Sequence, residues 1–293
     1  WQTLRPDFPA ETGWGGRIAD AFAPAATELL PVAVTLGGGS IFMKGQTASS
    51  FQVGRMRYSN GAIDARSRMA RMPRADLDGN AANPQALFLA NTRLARANRI
   101  EDQWAGVMEN AIDIGEFVNN AMYNATTVNG STTYPLKVPV PGTWPATGNT
   151  LSAQLHSVAA MIAARQALGV TRQVFFVSIG GFDNHGDQLG RDATTGNKTL
   201  LAGRHFDLLR QIDEAFKLVM GGAVNGGRIV GAMPPVALNT SFDVGEGRLL
   251  PTTASDTYAA TFAQWMGATE GELDAIFPNL ARFPTRTLTD LML

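Results

Sequence analysis

Cysteine is absent from this chain of 293 residues, which excludes disulfides and thiolate metal ligands together. Histidine occurs three times, at His156, His185 and His205, so imidazole chemistry has few places to reside. Charge is sparse as well. Asp, Glu, Lys and Arg make up 17% of residues and nearly cancel, leaving a formal net charge of −1. That balance gives no electrostatic case for nucleic acid or an anionic membrane surface. No apolar run approaches the ~20 residues that a helix needs to cross a bilayer. Lack of cysteine suits an exported bacterial protein, but also many cytosolic ones. The chain opens on Trp1 rather than Met, so a signal peptide is not in view.

Hydrophobic residues at 45% are enough for a substantial core. The most informative stretch is Arg172-Gln-Val-Phe-Phe-Val-Ser-Ile-Gly-Gly-Phe-Asp-Asn-His-Gly-Asp-Gln-Leu189. Val174 to Ile179 is a short, nearly continuous apolar run, the pattern of a central strand covered on both faces. It is expected to lie inside a mainly parallel sheet, between helices at 150–168 and 200–216. The Gly-Gly turn then presents Asp183 and His185, with Asp187 two residues on. In open α/β sheets, ligands gather at the carboxyl ends of the strands. A carboxylate and an imidazole there can supply oxygen and nitrogen to a divalent metal. On spacing alone the turn reading comes first, because Asp and Asn after Gly-Gly are ordinary turn residues.

Around this block the pattern is broken. Residues 1–30 read as loop with a short helical stretch to about Phe22, and Pro31–Leu36 reads as a strand closed by Gly37–Gly39. Ile41–Val53 could hold a hairpin around Lys44-Gly45. From Pro84 to Ala121 the apolar spacing is helical, with Leu94, Ile100, Trp104, Val107 and Ile112 in phase. Arg66, Arg68, Arg71, Arg74, Arg93, Arg96 and Arg99 read as a solvated face before a phosphate-gathering one. Residues 124–149, rich in Thr, Asn, Gly and Pro, form a long surface loop or insertion. Asn149 or Thr150 can cap a helix that Gly169 stops. Leu200–Phe216 reads as an amphipathic helix with Leu201, His205, Leu208 and Leu209 on one side. On that side His205 reads first as a core histidine, and second as a group near Asp183. His156 receives no role.

After Phe216, Lys217–Met220 and Gly221–Val230 resemble two short strands, yet no turn residue separates them from the preceding helix. A helix normally needs a left-handed Gly or Asn to reverse. Either the helix runs on to Met220, or sequence is missing at this junction. Tyr258–Met266 and Ile276–Leu280 then form a compact C-terminal module.

Several of these blocks resemble the bacterial domain-of-unknown-function family 1501. Val174-Phe-Phe-Val-Ser-Ile-Gly-Gly-Phe-Asp-Asn-His-Gly-Asp-Gln188 is similar to its V-F-F-V-S-L-G-G-F-D-T-H-x-x-Q pattern, with Asn184 in place of Thr. Trp1-Gln-Thr3 and Thr12-Gly-Trp-Gly-Gly-Arg17 resemble its W-Q-T and T-G-W-x-G-R. Gly221–Gly231, Leu250-Pro-Thr-Thr253, Trp265-Met-Gly267 and Phe277-Pro-Asn-Leu280 resemble later segments. The resemblance spreads over most of the chain. It implies an alkaline phosphatase-like α/β/α sandwich with a mainly parallel central sheet, from the alkaline phosphatase and sulfatase superfamily. It also implies a divalent metal ion and export to the periplasm or beyond. The family's G-G-N-D, S-E/D-F-G-R and D-H-G segments do not appear here. The last two belong at the Phe216 junction, so residues 1–293 read as one such domain, incomplete.

Two functions follow as expectations. One is an exported metal-dependent hydrolase of phosphate or sulfate esters, small or polysaccharide, with Asp183, His185 and His205 as candidate metal ligands. Its nucleophile is not identified, and a hydrolytic metal centre needs about three protein ligands. The other is a non-catalytic secreted or surface protein that keeps the fold. No organic cofactor and no nucleic acid is expected in either case.

Overall fold

The computed structural model describes residues 1–5, 11–23, 30–54, 58–59, 62–63, 88, 90–94, 98–123, 126–128, 131–133, 149–186, 188–216, 223–245 and 248–292. It is mixed α/β around a small parallel sheet. Strands β1 (Ala33–Thr35), β2 (Phe51–Gln52) and β7 (Val174–Phe176) form that sheet in the order β2-β1-β7. Both pairings are parallel, with Val34 opposite Phe51 on one side and Phe175 on the other. Three antiparallel two-stranded ribbons complete the strands: β3 (Tyr58–Ser59) with β4 (Ala62–Ile63), β5 (Thr126–Val128) with β6 (Ser131–Thr133), and β8 (Gly190–Arg191) with β9 (Lys198–Thr199).

Helices cover both faces of the parallel sheet, and alternate strand residues divide between them. On one face Val34 and Phe175 meet Ile114 and Val118 of α2 (Arg99–Tyr123). Ala160 and Met161 of α3 (Thr150–Ala163) join the same cluster. On the other face Ala33 and Phe176 meet Ala19 of α1 (Trp14–Phe22), together with Phe42 and Met43. Val174 also touches the C-terminal module of α5 (Ser255–Trp265) and α6 (Glu270–Ile276). Helix α4 (Arg204–Phe216) packs on α3 rather than on the sheet. Asn149 caps α3 by accepting from Ser152 N at 3.0 Å, and its amide donates to Gln211 O of α4 at 3.0 Å. Gly169, at φ +65°, ends the segment after α3, as the sequence suggests.

The strand expected at the sheet interior lies at its edge. β1, buried at every position, is central, and β7 is half-buried, with no described strand on its second side. The strand is also shorter than the apolar run. Beyond Phe176 the side-chain amide of Gln154 on α3 accepts from Ser178 N and donates to Ser178 O, both at 2.9 Å. A side chain takes the place of a neighbouring strand, and the ladder stops. The hairpin expected within 41–53 is absent too. Ile41–Met43 is a 3-10 turn, and β2 runs parallel to β1. Asp20 of α1 holds that segment by accepting from Gln46 N, Thr47 N and Ala48 N at 2.6, 2.9 and 2.7 Å.

The helix expected at 200–216 starts at Arg204, leaving Leu200 and Leu201 exposed in the preceding turn. Leu209 is half exposed as well, so the buried side of α4 is narrower than its spacing suggests. In α2 the first-turn and second-turn residues Ile100, Trp104 and Val107 face outward, and burial falls on Ala105, Ile112, Ile114 and Val118. The two strands expected after Phe216 are not formed within 223–230, where Val224 makes one isolated bridge to Met292. Lys217–Gly222, and with them the junction at Phe216, lie outside the described residues, as do Asp187, Arg66, Arg68, Arg71, Arg74 and Arg96.

The Thr12–Arg17 motif has a packing explanation. A Cβ on Gly16 would stand 2.1 Å from Lys44 C, so α1 lies directly on the backbone of the 3-10 segment. Arg17 is buried, and its guanidinium donates to Ile276 O at 2.6 Å, Thr3 O at 2.8 Å and Thr12 O at 3.1 Å. Burial, then Arg5, pulls its pKa down to about 10, with Asp256 and Asp20 opposing, so it stays cationic at neutral pH. In the same region Leu273, Phe277 and Leu280 are fully buried, each contributing about 1.5–3 kcal/mol. The Arg286–Glu270 and Arg286–Asp274 pairs lie at the surface, where solvent screening leaves them little weight. Arg17→Met is therefore expected to cost about 3–5 kcal/mol in urea unfolding, because three carbonyls lose their donor inside the protein. Arg286→Ala, a change at the screened surface, should cost far less than Arg17→Met. Equal losses in the two variants would refute the anchoring role.

Candidate functional site

The carboxyl ends of β1 and β7 lie side by side and carry the candidate site. Leu36 N and Gly37 N both donate to Phe176 O, at 2.9 and 3.2 Å. Ser178 Oγ donates back to Gly37 O at 3.1 Å. The chains run so close that a Cβ on Gly37 would meet Ser178 Oγ at 2.7 Å. Thr35 Oγ1 donates to Gly38 O at 2.6 Å and closes the triple-glycine turn. The sequence signal at both positions is therefore a demand for close backbone approach.

Past Ser178 the chain turns at Gly181, with φ +96°, over the first turn of α4. A Cβ there would stand 3.4 Å from Arg204 Nη2 and 3.8 Å from Leu208. Asp183 and His185 follow, with His185 Nε2 at 2.8 Å from Asp183 Oδ1. Their side chains are 89% and 92% exposed. Between them Asn184 points inward. It is buried, its backbone N donates to Phe182 O at 2.9 Å, and its Nδ2 has no hydrogen-bond acceptor. The bond from Asn184 N to Phe182 O closes a three-residue turn centred on Asp183, and the two candidate ligands are exposed on either side of the buried amide.

His205 is exposed on α4 rather than buried in a core, and its ring meets Phe182 edge-on with centroids 6.4 Å apart. It adjoins the turn but does not join the pair. Among the described residues no group of three His, Asp or Glu side chains converges as a metal site. His156 is the buried histidine of the chain, on α3.

The donor chemistry can be tested against a divalent cation. His185 Nε2 and Asp183 Oδ1 stand at hydrogen-bond distance, shorter than the ~3.4 Å that separates two ligands of a tetrahedral ion, so the two side chains engage each other and would have to part to hold a metal between them. A hydrolytic centre takes about three protein ligands and an open position. The described residues provide two, so no catalytic step is derived through a metal. Gln154 and Ser178 were not legible in advance as parts of this site. Gln154 reads as an ordinary helix residue until the fold places it against the strand end.

No protein-family model, no curated protein and no solved structure matches this chain.

Burial pushes the His156 pKa down to about 4. The unfolded chain, with an imidazole near 6.5, takes up the proton first as pH falls. This contribution to stability is therefore complete above pH ~6.5 and is lost as pH drops toward about 4. Asp256, whose pKa burial raises, acts in the opposite sense at lower pH. It is common to wild type and a His156→Gln variant, so comparing the two isolates the histidine. Between pH 7 and 4.5 the wild type should lose about 1–3 kcal/mol more stability than His156→Gln in denaturant titrations. Parallel stability profiles would contradict the burial assignment.

Proposed function

We propose that this chain is an exported metal-dependent hydrolase-like protein of the phosphatase and sulfatase class, with an alkaline phosphatase-like sandwich as its fold. In this reading Asp183 and His185 supply part of a divalent-metal site, and the described residues leave the site incomplete. One observation carries the reading. An oxygen and a nitrogen donor, 2.8 Å apart, stand together just past the carboxyl end of a parallel strand. That is where open α/β sheets collect ligands. The sequence resemblance supports the same class, and helices on both faces of a parallel sheet are consistent with it.

A bound divalent ion would polarise an ester oxygen and activate a nucleophile there. Asp183 and His185 would hold the ion, and the glycine turn 180–181 gives a phosphate or sulfate ester access to it. The substrate class is a small or polysaccharide ester of one of these acids. His205, one ring contact away from Phe182, borders the same turn.

A second reading is favoured by the solvent exposure of the pair and by the lack of a third converging ligand among the described residues. In it the protein keeps the fold and serves as a non-catalytic secreted or surface component.

Equilibrium dialysis against zinc and manganese, with hydrolysis of p-nitrophenyl phosphate and sulfate, separates the two. Asp183→Ala and His185→Ala should lower metal content far more than Asp207→Ala, an exposed change on α4. Metal that depends on Asp183, without hydrolysis, assigns a non-catalytic metal-bound role. Equal metal content in wild type and all variants removes the site.

A further inference from the structure

A second surface lies at the opposite, amino-terminal end of β7. The ladder bonds to β1 use Val174 N, which donates to Val32 O at 2.8 Å, and Phe176 O, which accepts from Leu36 N at 2.9 Å. In a parallel pair the intervening peptide points the other way, so the Phe175 N–H and C=O face the edge that no described strand occupies. Beside this edge runs a groove of about 690 Å³, within the size range of built ligand sites. Its walls are apolar, formed by Ile162, Val170, Phe175, Trp265 and Met266. Ile162 and Trp265 remain 46% and 52% exposed, large apolar side chains that the fold itself leaves uncovered.

The polar groups of the groove all ask for the same thing. Arg165 and Arg172 line it, and neither has a carboxylate partner among the described residues. Arg172 is held in place by donating Nε to Met266 O and by lying over the Phe22 ring, so its charge is fixed at the groove. Gln173 contributes a buried Nε2 with no acceptor. No acidic residue lines the groove.

From this combination we infer that the edge of β7 that no described strand occupies, with the adjoining groove, forms a docking site for an extended acidic peptide segment carrying both apolar and carboxylate side chains. The segment adds as a strand. Its backbone pairs with the outward-facing Phe175 peptide, as exposed sheet edges do when they recruit a chain. Its side chains alternate between the two faces, so that one set meets Ile162 and Arg165 on the α3 side and the other meets Trp265 and Met266 on the side of the C-terminal module. Carboxylates of the segment pair with Arg165 and Arg172, giving the site its preference for sign. This surface is at the other end of the strand from Asp183, so it stands or falls independently of the hydrolase reading.

The test titrates the full chain with an N-acetylated, C-amidated hexapeptide of sequence Val-Val-Glu-Glu-Val-Val, which carries both residue types on each side of an extended strand, following tryptophan fluorescence. A Trp265→Phe variant assigns the signal to the groove. Saturable binding is expected, weakened roughly tenfold by Arg165→Glu, an exposed change that leaves the core intact. It should disappear when glutamate is replaced by lysine, and when alternate peptide nitrogens are methylated. Equal binding of the methylated peptide overturns strand addition, and equal binding of the lysine peptide overturns the charge preference. A dimer by light scattering that buries Trp265 and excludes the peptide assigns the groove to a second copy instead. No fluorescence change with any peptide also overturns the proposal.

Discussion

One buried guanidinium joins the two ends of this molecule. Arg17 reaches Thr3 and Thr12 on the amino-terminal side and Ile276 in the C-terminal module, 259 positions away in sequence. Three neutral carbonyls solvate its charge, and the fields of Asp256 and Asp20 favour it. Such a cation is costly to bury and costlier to leave half satisfied. Beside it, the glycine at position 16 lets α1 lie against the backbone of Lys44 and Gly45, just after the 3-10 segment. Helix α1 in turn positions Phe42 and Met43 against the sheet, so the cover of one sheet face depends on this contact.

That cover decides what the strands present. With α1 and the C-terminal module on one side, and α2 and α3 on the other, the β1 and β7 ends can emerge in one place only. Their termination is a matter of backbone hydrogen bonding. Gln154 takes both polar groups of Ser178 and frees the following glycines from any ladder. The Asp183 turn is then held by Gly181 over α4 and by the inward Asn184, not by the sheet.

The functional consequence is a pair of donors on a firm base with an open outer side. A pair so exposed is easily reached by an ester, and also gains little from a dry, low-dielectric surrounding. Hydrolytic strength depends on further ligands and on water exclusion, which two side chains cannot provide. Among the described residues, the Asn184 amide lies beneath the turn with its Nδ2 lacking an acceptor. It marks where the turn is least fully satisfied.

Much of this was legible in the residues. The helix after Asn149, its stop at Gly169, the strand at Pro31–Leu36 and the amphipathic stretch at Tyr258–Met266 follow from caps, glycines and periodicity, which act over a few residues. The spacing of Asp183 and His185 puts two donors close together in sequence, but their direct contact does not follow from it. What could not be read was burial. Val174–Ile179 is apolar enough for a central strand, yet strand order places it at an edge, and order depends on which distant segments compete for each side. His205 and Leu209 keep helical phase with Leu208, but α3 covers only part of that side of α4. The roles of Gln154 and Arg17 belong to the tertiary structure as well, because a side chain's hydrogen-bond partners across 24 or 259 residues are set by packing. Local chain stiffness and turn chemistry are written in neighbouring residues, whereas the sharing of buried surface and buried polar groups is decided only when the whole chain closes on itself.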